Sequence, residues 1–174
     1  KQIREGDLDK MGQVGKGILA NWGSMERNKK LIEEIKNLIE IDGRKSILLY
    51  SLSVNHSKAM TLALQRSGIS AVSIDSKTNS AERREFIRRF ILGEINILCN
   101  YEIFTTGFDA PNVDAIMICR PIQSKTLYDQ IIGRGLRGKQ FNGTEDCIIV
   151  VPNDEIKIKT KKGLEDWNVN AADI

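Results

Sequence analysis

Three observations predict an α/β fold: a mostly parallel sheet with helices on both faces. Short apolar runs alternate with amphipathic helical stretches along the chain. The runs are near-continuously hydrophobic, as in strands covered on both sides. Two polar segments that contain glycine follow the ends of such runs, where open parallel sheets hold their ligands.

Residues 1–27 carry several glycines and no sustained period, so they read as a linker. From Asn28 the pattern turns helical, with one stripe formed by Leu31, Ile32, Ile35, Leu38 and Ile39. Asp42-Gly43 stops it. Ser46 to Tyr50 is the first buried strand. A polar loop over Ser51–Ser57 follows, with Asn55 as the expected cap of a helix over Lys58–Arg66. Ser67-Gly68 closes that helix. Ile69 to Ile74 is the second strand.

Asn79 with Glu82 fits a capping box opening the next helix. That helix is expected to bury Phe86, Ile87, Phe90 and Ile91 and to show Arg83, Arg84, Arg88 and Arg89 to water. Ile95–Cys99, Val113–Cys119 and Cys147–Val151 read as the third, fourth and fifth strands, with Ser124 capping a helix that runs into the Arg134 region. The ordered domain is therefore expected over 28–152, with a charged extension over 153–174 that reads as a short strand or tail.

The chain has 174 residues, 41% hydrophobic and 28% charged, which fits one globular domain. No apolar run approaches the ~18 residues of a membrane span, and Lys1–Glu5 does not read as a signal peptide. The three cysteines, Cys99, Cys119 and Cys147, lie in or beside apolar runs and read as buried thiols of an intracellular compartment, cytoplasm, nucleoid or nucleus. With His56 the sole histidine and no ligand spacing, no metal site is expected. The net charge of +3 is too weak to announce a nucleic-acid binder. Residues 120–140, however, carry Arg120, Lys125, Arg134, Arg137 and Lys139 against Asp129 alone. Such a cluster suits a polyphosphate or a nucleic-acid backbone, although for a charge cluster taken alone a solvated basic face is the simpler reading.

Two segments carry the chemistry. Thr105-Thr106-Gly107-Phe108-Asp109-Ala110-Pro111 offers hydroxyls, backbone amides and a carboxylate. Gln130-Ile131-Ile132-Gly133-Arg134-Gly135-Leu136-Arg137 sets two arginines three residues apart. Amide donors together with two forked guanidinium groups are what a phosphate site needs.

These segments resemble motifs V and VI of the second RecA-like domain of superfamily 2 helicases and translocases. Thr105, Gly107 and Asp109 fall on T-x-G-x-D, and Gln130, Gly133, Arg134 and Arg137 fall on Q/H-x-x-G-R-x-x-R. Ser53-x-x-His56 resembles motif IV of the branch holding restriction-enzyme translocases and related DNA-repair helicases, where S-x-x-H-A is common. Ser57 replaces the alanine. A motif VI that begins with Gln130, not His, leans the same way, towards DNA over RNA.

The resemblance implies that Arg134 and Arg137 are arginine fingers, worth about 10³ to 10⁵ in phosphoryl-transfer rate. It implies that Gln130, Gly133, Gly107 and Asp109 face ATP. Thr105, Thr106, Ser51, Ser53 and His56 would then contact nucleic-acid phosphates, positioning a strand without reading its sequence. An Asp-Ala-Pro turn remains the other reading for Asp109, and a capping loop the other for His56. Arg83 and Arg84 fall where the family often has a Glu-Arg pair opening a helix, and a solvated face explains them as well.

Such a motor also needs a first RecA-like domain with a Walker A lysine and an acidic segment for Mg²⁺, and neither is found here. The expectation is a partner domain earlier in the same protein that holds ATP and Mg²⁺, with this part inactive in isolation. The alternative is a non-catalytic RecA-like module that binds nucleic acid or docks. An unrelated doubly wound nucleotide-binding domain is a third reading, but the G-x-G-x-x-G fingerprint is absent after the first strand.

Overall fold

The computed structural model describes residues 24–101, 112–120, 130–131, 133, 146–152 and 157–162. Helix α1 spans Met25–Glu40 and is capped by Ser24, whose Oγ accepts from the Arg27 amide at 3.2 Å. It starts three residues before the Asn28 expected from periodicity. The apolar stripe begins only at Leu31, so the polar first turn carries no hydrophobic signal. Gly43, with φ of 68°, turns the chain out of α1 into strand β1, Ile47–Tyr50.

Helix α2 spans Val54–Arg66, and its cap is Ser53 instead of the expected Asn55. Ser53 holds extended backbone and its Oγ accepts from the His56 amide at 3.1 Å, leaving Asn55 inside the first turn. At the other end the Gly68 amide donates to the Gln65 carbonyl and the Ile69 amide to the Leu64 carbonyl, both at 3.0 Å, the paired bonds of a Schellman motif.

Strand β2 is Ala71–Ile74 and helix α3 is Ser80–Ile91. The predicted Asn79 cap is present, its Oδ1 accepting from the Glu82 amide at 2.8 Å. Phe90 is fully buried, and Phe86 and Ile87 are partly buried against the core. Ile91, expected inside, is 42% exposed, because it lies on the flank of the last turn, beyond the stripe. Of the four arginines expected in water, Arg84 and Arg88 are exposed and Arg83 and Arg89 are half-buried.

Strands β3 (Ile97–Asn100), β4 (Ala115–Ile118), β5 (Cys147–Pro152) and β6 (Lys157–Lys162) complete one sheet of order β2-β3-β1-β4-β5-β6. The first five in that order run parallel, and β6 runs antiparallel to β5. The stretch read as a short strand or tail is thus in part the sheet's edge. In register, Leu49 sits between Cys99 and Met117, and Tyr50 between Asn100 and Ile118.

The core has two halves, one on each face. Leu31, Ile35 and Leu38 of α1 and Met60 and Leu64 of α2 pack on Ile47, Leu49, Ala115, Met117 and Val150. Phe90 of α3 and Ile131 pack on Leu48, Tyr50, Leu98, Ile116 and Ile149. Alternate residues of each strand therefore serve opposite faces, and each large side chain so buried contributes about 1.5–3 kcal/mol. This is the predicted α/β architecture, with helices on both faces of a mostly parallel sheet.

Candidate functional site

The chain leaves β1 for α2 on one face, while Gln130, Ile131 and Gly133, helical residues after β4, belong to the opposite face through buried Ile131. Because β1 and β4 are neighbours in the sheet, their carboxyl ends form a topological switch point, the place where open α/β sheets bind ligands. Ser51, Cys119 and Arg120 lie just beyond those strand ends, and Asn100 and Tyr101 lie at and just beyond the end of β3, the other neighbour of β1.

Ser51, Ser53 and His56 are brought together on the turn between β1 and α2. Ser51 is fully buried; its amide donates to the Asn100 carbonyl at 2.8 Å, and its Oγ has no hydrogen-bond partner among the described residues. Ser53 is exposed and its hydroxyl oxygen caps α2. The Leu52 amide donates to His56 Nδ1 at 3.4 Å, so the proton sits on Nε2, which donates to Asn28 Oδ1 at 3.0 Å. Burial, and after it the charge of Arg27, lowers the His56 pKa from 6.5 to about 4, which keeps the ring neutral. The amides of Val54 and Asn55, in the first turn of α2, have no intrahelical acceptor, so this helix end carries partial positive charge.

Gln130 is helical and exposed, and Gly133 is helical and half-buried. Thr105, Thr106, Gly107, Asp109, Arg134 and Arg137 lie outside the described residues.

The site contains residues that sequence reasoning passed over. Asn100 ends β3 fully buried; its Nδ2 donates to the Leu49 carbonyl at 3.2 Å, while Oδ1 has no partner among the described residues. An asparagine closing an apolar run was the available signal, since a buried amide needs partners that the strand ladder does not provide. Buried Arg27 reaches the Cys119 carbonyl from α1, with Nη1 at 3.5 Å. Tyr101 was passed over as well: the guanidinium carbon of Arg120, a residue of the basic window, lies 5.6 Å from the centre of its ring.

The thiols of Cys99, Cys119 and Cys147 are free and buried, and burial pushes each pKa up to about 12, so they are poor nucleophiles and poor metal ligands. Among the described residues no group of three or more His, Cys, Asp or Glu side chains is placed to hold a metal ion. None of the described helices is long and apolar enough to cross a membrane.

A mostly parallel sheet with this switch point and helices on both faces defines a doubly wound α/β domain. Residues 27–139 match the helicase conserved C-terminal domain, and the chain belongs to that family. It is 41% identical over 93 residues to the IRC3 helicase of Saccharomyces cerevisiae, covering 53% of this chain and 14% of that protein. It is 24% identical over 122 residues to the type I restriction enzyme EcoKI endonuclease subunit of Escherichia coli, covering 63% of this chain and 10% of that subunit. The fold is shared with the DEAD-box protein SrmB of E. coli, solved bound to the regulator of ribonuclease activity A, at a TM-score of 0.60 and 18% identity over 80% of this chain and 72% of that one. The chain thus spans a small part of the length of the curated relatives it matches.

Proposed function

We propose that this chain is the second motor domain of an ATP-dependent helicase or translocase acting on DNA. The observation that carries the reading is the match of residues 27–139 to the helicase C-terminal family, which spans both the β1–α2 turn and the Gln130–Arg137 segment. Arg134 and Arg137 supply the guanidinium groups that stabilise the transferring phosphoryl, with Gln130, Gly133, Gly107 and Asp109 lining the nucleotide. A RecA-like domain earlier in the same protein holds ATP and Mg²⁺, and the Mg²⁺ neutralises charge on the phosphates.

The strand backbone lies along Thr105, Thr106 and the β1–α2 turn, where the first-turn amides of α2 favour an anion. Closure of the two domains on ATP and reopening after hydrolysis shifts these contacts along the strand. The preference for DNA is supported by the motif VI that begins with Gln130. The protein works inside the cell, a setting that suits three free, buried thiols.

The test is ATP turnover by the full-length protein with and without DNA or RNA of equal length. DNA stimulates turnover more than RNA does. Arg134→Ala and Arg137→Ala each lower kcat by about 10³-fold or more while DNA affinity stays within a few-fold. Near-normal turnover in both variants overturns the arginine-finger assignment. A wild-type protein that binds DNA without turning over ATP moves the non-catalytic reading to the front.

A further inference from the structure

We propose that Tyr101 and Arg120 form a positioning pair that couples the loop after β3 to the segment after β4. The inference rests on the reading of those two stretches as walls of one ATP site. Strands β3 and β4 are not neighbours, because β1 lies between them. With strands ~4.8 Å apart, their ends are separated by about 10 Å. Backbone hydrogen bonds cannot span that gap, and short side chains cannot either. Tyr101 stands one residue past β3 and Arg120 two past β4, so their contact at 5.6 Å crosses the carboxyl end of β1 at Ser51.

The place of the pair in the chain gives the contact its consequence. Tyr101 leads directly into the Thr105–Asp109 segment, and Arg120 leads into the stretch that carries Gln130 to Arg137. The contact between Tyr101 and Arg120 ties together the two points at which these segments leave the sheet. The ring face attracts the cation through its quadrupole, which a leucine of similar volume lacks. Neither residue is assigned contact with ATP; each acts through the segment it precedes.

The experiment is steady-state ATP turnover by the full-length protein at saturating DNA, for Tyr101→Phe, Tyr101→Leu, Arg120→Met and the double variant Tyr101→Leu/Arg120→Met. Tyr101→Phe keeps the ring and stays within twofold of wild type. Tyr101→Leu and Arg120→Met each lower kcat by about 10- to 100-fold with little change in the KM for ATP, the cost of misplacing groups that must align in the transition state. The double variant falls no further than the worse single variant, because one contact is lost in all three.

Losses that multiply in the double variant overturn the proposal. So does a Tyr101→Phe loss as deep as that of Tyr101→Leu, or an effect confined to KM. Should Tyr101→Leu fail to fold, Tyr101→Phe beside Arg120→Met makes the same distinction, with the first near wild type and the second slowed. A wild-type protein with no ATP turnover sinks the parent reading and this one with it, whereas normal turnover in every variant sinks this one alone.

Discussion

The His56 imidazole donates from Nε2 to Asn28 Oδ1 at 3.0 Å, tying the first turn of α2 to the first turn of α1. Its other nitrogen receives the Leu52 amide, so one ring fixes both the loop after β1 and the two helices on that face. The sequence left His56 open between a phosphate contact and a capping role. In the structure both ring nitrogens already have partners within the chain, and any anion bound at this turn meets a neutral ring.

The first expected outcome concerns acidity. His56 has a folded-state pKa near 4 against 6.5 in the unfolded chain. Between those values the unfolded state binds the proton more readily. The stabilisation from neutral His56 is thus complete above pH 6.5 and is lost as the pH falls towards 4. A ¹⁵N-edited NMR titration will show the Nε2–H tautomer persisting through pH 5.5. Urea unfolding from pH 7 to 4 will show a steeper fall in wild type than in His56→Gln. Equal slopes contradict the assignment.

Replacing Asn28 gives two distinct results. Asn28→Ala leaves the buried Nε2–H without its acceptor and costs about 1–3 kcal/mol. Asn28→Asp sets a carboxylate against the same nitrogen and raises the His56 pKa by ~1–3 units, through the attraction between opposite charges. Chemical denaturation checks the first, and the imidazole titration the second.

The first turn of α2 separates the two candidate caps. Ser53→Ala costs about 1 kcal/mol, as loss of a capping oxygen does. Asn55→Ala stays within about 0.5 kcal/mol, because Asn55 is exposed inside the first turn. Thermal unfolding that ranks them the other way round would restore Asn55 as the cap.

Phe90 and Ile91 form a second contrasting pair. Phe90→Ala empties a fully buried position and costs about 3–5 kcal/mol. Ile91→Ala changes stability by about 0.5 kcal/mol or less, since the side chain is 42% exposed. Urea midpoints of the two variants measure the difference.

What the sequence made legible was set by signals spread over many residues. The strands were readable because Ile47–Tyr50, Ile97–Asn100 and Ala115–Ile118 are almost wholly apolar, as doubly covered parallel strands must be. The Asn79 cap was readable because Glu82 follows at the right spacing. The start of α1 was not, because Met25 to Lys30 bury only Arg27 and show no stripe. Ser53 and Asn55 carry equally good capping chemistry, and only backbone dihedrals choose between them. Tyr101 and Arg120 meet across a strand that neither belongs to, a relation that no local pattern encodes. The family motifs pointed to the β1–α2 turn, which lies at the sheet's carboxyl edge, whereas buried Asn100 belongs to no motif and escaped notice.

The central position of β1 bears on how the chain folds as it is made. Ile47–Tyr50 pairs with Ile97–Asn100 on one side and with Ala115–Ile118 on the other. Neither partner exists when β1 leaves the ribosome. At about 5–20 residues per second, several seconds pass before the first ladder can close. During that delay Leu48 and Leu49 remain available to wrong partners, and α1 and α2 have no finished sheet to pack on. Strand β1 therefore waits longest between its own synthesis and its first ladder, and its apolar residues are where a chaperone that shields nascent chains has most to protect.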